Sequence, residues 1–136
     1  RMNSLASSPS STCGPGWTLS CGGSDSWTTE YYTNEISEYG CSTLNESGPE
    51  YTYRFTAPAT GQVTVEMSGV DPGVDLDLFV LLNPYGTCTP GNCVAHGTAY
   101  GMDTVTFDAL EGQTYFFVVD GWNAAEGSYD IAVTCP

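Results

Sequence analysis

The stretch Val74-Asp75-Leu76-Asp77-Leu78-Phe79-Val80-Leu81-Leu82 limits the possible folds more than any other. Side chains alternate along a β-strand, so Leu76, Leu78, Val80 and Leu82 share one face. Asp75, Asp77, Phe79 and Leu81 share the other. The second half is apolar on both faces, which predicts a central strand covered on both sides. The first half sets two carboxylates side by side at one strand end. Unpaired charge is costly in a core. These two groups therefore belong at a rim, met by backbone donors, water or a cation.

The rest of the chain repeats the strand pattern. Tyr51, Tyr53 and Phe55 alternate with Thr52, Arg54 and Thr56, and Val63, Val65 and Met67 alternate with Thr64, Glu66 and Ser68. With Pro58-Ala59-Thr60-Gly61 between them, they predict a hairpin in which Arg54 faces Glu66. Val105 and Phe107, then Tyr115 to Val119, then Tyr129, Ile131 and Val133 supply further strands. Trp17 to Cys21 predicts a short first strand. Residues 24–49 hold few aliphatics and are expected to lie over the core as a loop with short strands. No window keeps a helical period, and Gly and Pro punctuate the chain throughout. The expected fold is an all-β, antiparallel β-sandwich of eight or so strands with jelly-roll-like topology. Residues 1–12 are Ser-rich and read as a linker, leaving residues 13–136 as one accessory domain. A linker of that kind implies a neighbouring domain in the full-length protein.

Charge and cysteine content narrow the function classes. The 136 residues contain no Lys, and Arg1 and Arg54 face 16 Asp plus Glu, for a net charge of −14. Phosphate backbones are bound chiefly through Lys and Arg, which argues against nucleic acid as a partner and, for the same reason, against anionic membrane surfaces. No apolar run is long enough to span a bilayer. Six cysteines in so short a chain point to disulfides and a secreted, extracellular location. Cys88 and Cys93 flank the turn Thr-Pro-Gly-Asn and are expected to form a local bridge. Cys135 is expected to tie the C-terminus to the N-terminal region, with the partners among Cys13, Cys21 and Cys41 left open. A zinc site fits poorly, because no cysteine pair has knuckle spacing and His96 stands alone.

The candidate chemistry divides into three. Catalysis has little to rest on: His96 is the sole His, and no Gly-x-Ser-x-Gly elbow occurs. For a metal, Asp71, Asp75, Asp77 and Asp120 lie at turns and strand ends and supply part of an oxygen-rich calcium shell. The competing reading has these carboxylates fixing loops by accepting backbone and hydroxyl hydrogen bonds. For a polymer ligand, aromatic side chains in loops stack on sugar faces while polar neighbours bond the hydroxyls. Trp122 and Asn123, with Trp27, Tyr31 and Tyr32, are the candidates, and the alternative is that they cover the core edge. Asn45-Glu46-Ser47 matches a glycosylation acceptor.

From residue 48 on, the order of features resembles the bacterial pre-peptidase C-terminal domain. It is carried by Gly48-Pro49-Glu50-Tyr51-Thr52-Tyr53-Arg54-Phe55, Gly61-Gln62-Val63-Thr64-Val65, Asp75-Leu76-Asp77-Leu78-Phe79-Val80, Gly112 to Gly121, and Gly127-Ser128-Tyr129-Asp130-Ile131-Ala132-Val133. Cys21-Gly22 and Cys41 resemble a Cys-rich variant. The resemblance implies a non-catalytic β-sandwich appended to secreted hydrolases. Some such domains bind collagen, chitin or other polysaccharides, some bind calcium, and some are removed during maturation. The acidic segment before the first strand that supplies much of the collagenase-type calcium site is Ser-rich in this chain. The expected protein is thus a monomeric, non-catalytic module that attaches a hydrolase to extracellular polysaccharide or another matrix polymer. The alternatives are a maturation domain without ligand and a calcium-stabilised protein-binding module.

Overall fold

The computed structural model describes residues 16–82 and 90–136. Nine strands occur among them: β1 Trp17–Thr18, β2 Ser24–Thr28, β3 Tyr51–Thr56, β4 Gly61–Ser68, β5 Leu76–Leu82, β6 Cys93–Gly97, β7 Asp103–Ala109, β8 Thr114–Gly121 and β9 Ser128–Thr134. They form two sheets, one ordered β1-β3-β8-β5-β6 and the other β2-β9-β4-β7. All pairings are antiparallel except β1 with β3. The alternating residues fill the space between the sheets: Tyr53, Phe55, Leu76, Leu78, Val80 and Phe117 from one side meet Val63, Val65, Met67, Val105, Ile131 and Val133 from the other. Among the described residues no helix is long and apolar enough to cross a membrane.

Two sequence expectations are corrected. β3 and β4 are not a hairpin. β3 pairs with β1 and β8, whereas β4 pairs with β7 and β9, so the chain crosses between sheets at 57–60. Each strand has one apolar face. Placed in opposite sheets, those faces meet across the sandwich, whereas side by side they would share one face and need a further cover. Arg54 lies opposite Phe116 and Glu66 opposite Thr104 and Ala132, so the expected pair does not form. The local Cys88–Cys93 bridge is also not formed, because Cys93 bonds Cys41 with Cα atoms 5.5 Å apart. The second bond, Cys21–Cys135 with Cα atoms 5.4 Å apart, ties the C-terminus to the N-terminal region as expected. Cys13, Cys88 and the 1–12 linker lie outside the described residues.

β8 holds the centre of the five-stranded sheet, and β5, expected there, is the inner strand beside it, buried as its sequence requires. β5 lies between β8 and β6, and Leu76 through Leu81 are all buried. Its outer face, with Phe79 and Leu81, joins Phe116 and Val118 of β8 in a second apolar cluster. The irregular segment between β2 and β3 covers this cluster with Ile36 and Tyr39. Tyr39 stacks on Phe79 with ring centroids 3.8 Å apart and planes within 4°. Cys41–Cys93 and the bond from Gly40 N–H to the Pro90 carbonyl pin this cover to the β6 edge. His96 is an exposed residue of β6 opposite Phe79.

Candidate functional site

At one rim of the five-stranded sheet, acids line up across the outer face. Asp77 of β5 is directly opposite Asp120 of β8. Tyr51 is opposite Val119, so Glu50 sits one position before β3 beside that pair. Asp75 precedes Asp77 on the same face. The irregular segment then brings in Glu46. Gly48 N–H donates to the Gly121 carbonyl, Asn123 N–H to Asn45 and Trp122 N–H to Asp75. These three bonds lay residues 45–48 across the start of β5 and the end of β8. Two glycines make the approach possible: a Cβ on Gly48 or on Gly121 would strike the Ala125 carbonyl oxygen. Asp103, at the start of β7, packs against Gly97 at the end of β6, and its Oδ1 accepts Ala99 N–H at 2.7 Å.

The hydrogen-bond inventory separates these acids into two groups. Asp120 is satisfied: Tyr39 O–H donates to its Oδ2 at 2.5 Å and Gly121 N–H to its Oδ1 at 2.7 Å. Glu50 accepts Glu35 N–H on both oxygens at 3.0 Å. By contrast, both oxygens of Glu46 and both of Asp77 are buried and accept no bond from any N–H or O–H donor, as does one oxygen each of Asp75 and Asp103. Glu46 is 0 % and Asp77 1 % exposed. The Asp77 carboxyl lies within hydrogen-bonding reach of the Glu46 and Asp75 carboxyls, so a proton can bridge them.

Burial is the first cause of every carboxyl shift here, because the charged form is desolvated. It drives Asp77 far above the usual carboxylate range, with the adjoining Glu46 adding to the effect. It raises Glu46 and Asp75 as well. Asp103 is pushed up to about 6, held back by the Ala99 N–H. Asp120 is pushed up to about 9 by burial and then by the Glu50 charge, against the opposing pull of the Tyr39 and Gly121 donors. Glu50 rises to about 7 by burial, opposed by the N–H groups of Glu35 and Ile36.

The metal residues expected from sequence are only partly brought together. Asp75 and Asp77 adjoin. Asp120 is committed to Tyr39 and Gly121, and Asp71 spends its Oδ2 on Ser128 N–H at 2.9 Å. Among the described residues no three His, Cys, Asp or Glu side chains already converge in metal-ligating geometry. Glu46 and Asp103 enter the cluster unforeseen. Glu46 lies 31 positions before Asp77 in a segment without strand period, and only the fold unites them.

Above this rim projects a turn. Trp122 is 40 % exposed, and Asn123 and Ala124 are exposed beside it. Asn123 and Ala124 both take positive φ, at 52° and 69°. For Ala this costs about 1 kcal/mol, so the surrounding structure must impose it. The bonds to Asn45 and Asp75 do so. The other aromatic candidates are dispersed. Trp27 is half-buried, donates its Nε1–H to Tyr32 O–H at 3.0 Å, and packs with Tyr32 on Tyr51. Tyr31 is 69 % exposed. A shallow groove of about 330 Å³ passes along Ser26, Trp27, Thr28, Ser128 and Asp130.

Comparison with known proteins follows the same lines. The pre-peptidase C-terminal domain of the Bacillus anthracis collagenase superposes with a TM-score of 0.61 at 13% identity, covering 90% of this chain and 99% of its own. The surface-associated copper-binding protein CorA of Methylomicrobium album BG8 superposes with a TM-score of 0.55 at 12% identity, covering 88% and 98%. PliG of Aeromonas hydrophila, a periplasmic inhibitor of g-type lysozyme, gives 0.51 at 15% identity, covering 86% and 94%. At such identities the likeness shows the fold alone. No curated protein matches the sequence. The family model "Bacterial pre-peptidase C-terminal domain" matches residues 50–121, more than half of the chain, including Glu50, Asp75, Asp77, Asp103 and Asp120 of the acidic rim. With strand order, central strand and rim already in place, that match settles the family: the chain belongs to the bacterial pre-peptidase C-terminal domains.

Proposed function

We propose that this domain is the non-catalytic attachment module of a secreted hydrolase, and that it holds an extracellular polymer, polysaccharide first, through the Trp122–Asn123 turn. The observation that carries this reading is an exposed indole on a turn clamped by backbone hydrogen bonds in a conformation that Ala124 adopts only at a cost. A rigid aromatic face loses little entropy on stacking against a sugar ring, and Asn123 beside it offers both an amide donor and an acceptor. The net charge of −14 favours neutral or cationic polymers over acidic ones. The two disulfides among the described residues suit an oxidising, extracellular setting. His96 stacks at 6.3 Å on Phe79 and lies on β6.

The test is affinity electrophoresis of the isolated chain through gels cast with soluble polysaccharides. Selective retardation by one neutral polymer is the expected result. Migration unchanged in every gel would overturn polysaccharide as the ligand and turn attention to collagen-like protein polymers or to a role in maturation.

A further inference from the structure

We propose that Tyr100 is a second aromatic platform of the polymer site, so that the ligand is an extended polysaccharide chain laid across the rim from Trp122 to Tyr100. This deepens the attachment reading and rests on it. Tyr100 is 66 % exposed on the turn between β6 and β7 and belongs to neither apolar cluster. A lone exposed aromatic is ordinary. What sets this one apart is that its turn is built like that of Trp122. A buried acid fixes the residue before each aromatic: Asp103 Oδ1 accepts Ala99 N–H at 2.7 Å, and Asp120 Oδ1 accepts Gly121 N–H at 2.7 Å. The residue after each aromatic takes positive φ, Gly101 at 95° and Asn123 at 52°. Both rings are thus presented to solvent on tight turns with little backbone freedom. A rigid aromatic side chain loses little entropy when it stacks on a ligand.

The topology puts the two turns on one rim. β8, β5 and β6 are neighbours in that order, with Gly121 opposite Leu76 and Gly97 opposite Leu78. Two strand spacings across and two residues along separate the strand ends at Gly121 and Gly97 by about 12 Å. Stacked rings lie only about 4.5–7 Å apart, so a single sugar ring does not cover both platforms, whereas a chain does. Between the platforms lies the approach to β5. There the half-buried Asp75 takes Trp122 N–H on its carbonyl at 3.1 Å, and its carboxyl offers an acceptor to sugar hydroxyls. Carboxylates along this path repel an acidic polymer, so a neutral chain is the class that fits.

The test is affinity electrophoresis of the whole chain through gels cast with graded hydroxyethyl cellulose, xylan or glycol chitin. Oligosaccharides of increasing length, cut from the polymer that retards it, then compete for binding. Tyr100→Ala is expected to bind that polymer at least about tenfold more weakly, because docking on the second platform is intramolecular once the first is occupied. Tyr100→Phe keeps the wild-type retardation. So does Leu110→Ala, which removes an exposed side chain at the far end of β7. Competition against the wild type strengthens once the oligosaccharide reaches both turns, and against Tyr100→Ala it gains nothing with length. Melting curves confirm that each variant is folded. Wild-type retardation of a folded Tyr100→Ala overturns the second platform and leaves the Trp122 reading standing. A wild-type affinity that does not grow with oligosaccharide length does the same. A wild type that none of the three polymers retards overturns both the polysaccharide reading and this inference.

Discussion

The most informative single residues are polar ones in the wrong place for polar residues. Glu50 is 7 % exposed and is held by Glu35 N–H, with Asp120, Tyr39 and Glu35 the titratable groups facing it. Its folded pKa of about 7 lies above the ordinary 4.5. An acid raised in this way contributes stability that is complete below the unfolded value and is lost as pH rises through the folded one. The wild type should therefore lose at most about 3 kcal/mol between pH 5 and pH 8 through this group. Glu50→Gln should flatten that part of the profile, as thermal melts across the range would show. Tyr39→Phe removes the hydroxyl that Asp120 relies on, and chemical denaturation should find it about 1–3 kcal/mol less stable. Gly121→Ala should cost more than a surface Gly→Ala change, because its Cβ strikes the Ala125 carbonyl and forces the Trp122 turn apart. Nearly all of these residues were invisible as a group in the sequence. Asp75 and Asp77 were legible because they share one strand, and strand period alone places them together. Glu46, Glu50 and Asp103 reach them only through tertiary pairing, for which a single sequence carries no signal.

Elements were more readable than sites. Strand period located β3, β4, β5, β7, β8 and β9, because each has a face that must be dry. The same period is silent about which sheet a strand enters, and the β3–β4 connection was misread for that reason. Proximity in sequence suggested a hairpin, but two one-sided apolar strands are better buried facing one another. Turn chemistry misled in the same way at Cys93, where a plausible local bridge gave way to Cys41, 52 residues away. The long bridge has a clear job. It fastens the Ile36–Tyr39 cover over Phe79 and Leu81, which would otherwise leave the outer face of β5 open. Replacing Cys41 and Cys93 together by Ser should lower stability by roughly 2–4 kcal/mol. The loosened cover should also speed hydrogen exchange in residues 36–48 before it affects β4 or β9. Peptide mapping without reduction should recover the Cys41–Cys93 and Cys21–Cys135 pairs, and a Cys88–Cys93 peptide would contradict the arrangement.

At the scale of the molecule, a sandwich with two buried inner strands, β5 and β8, serves as a rigid mount. Its two sheets hold the apolar core, the second apolar cluster stiffens the outer face of β5, and the acidic rim and the Trp122 turn sit where β3, β5 and β8 meet. The all-β class followed from alternation and composition, and the accessory role was implied by the family resemblance that the order of short motifs carries. Trp122 already stood out in the sequence as the best single candidate, beside Asp120 and Asn123, and packing adds that Trp27 is bonded to Tyr32 and leans on Tyr51. The most direct measurement compares wild type, Trp122→Ala and Trp27→Phe in affinity electrophoresis on whichever polysaccharide retards the wild type, with melting curves to confirm that each is folded. The expected result is that Trp122→Ala migrates as though the polymer were absent while Trp27→Phe is retarded like the wild type. Undiminished retardation of a folded Trp122→Ala would contradict the account and move the binding surface away from this rim.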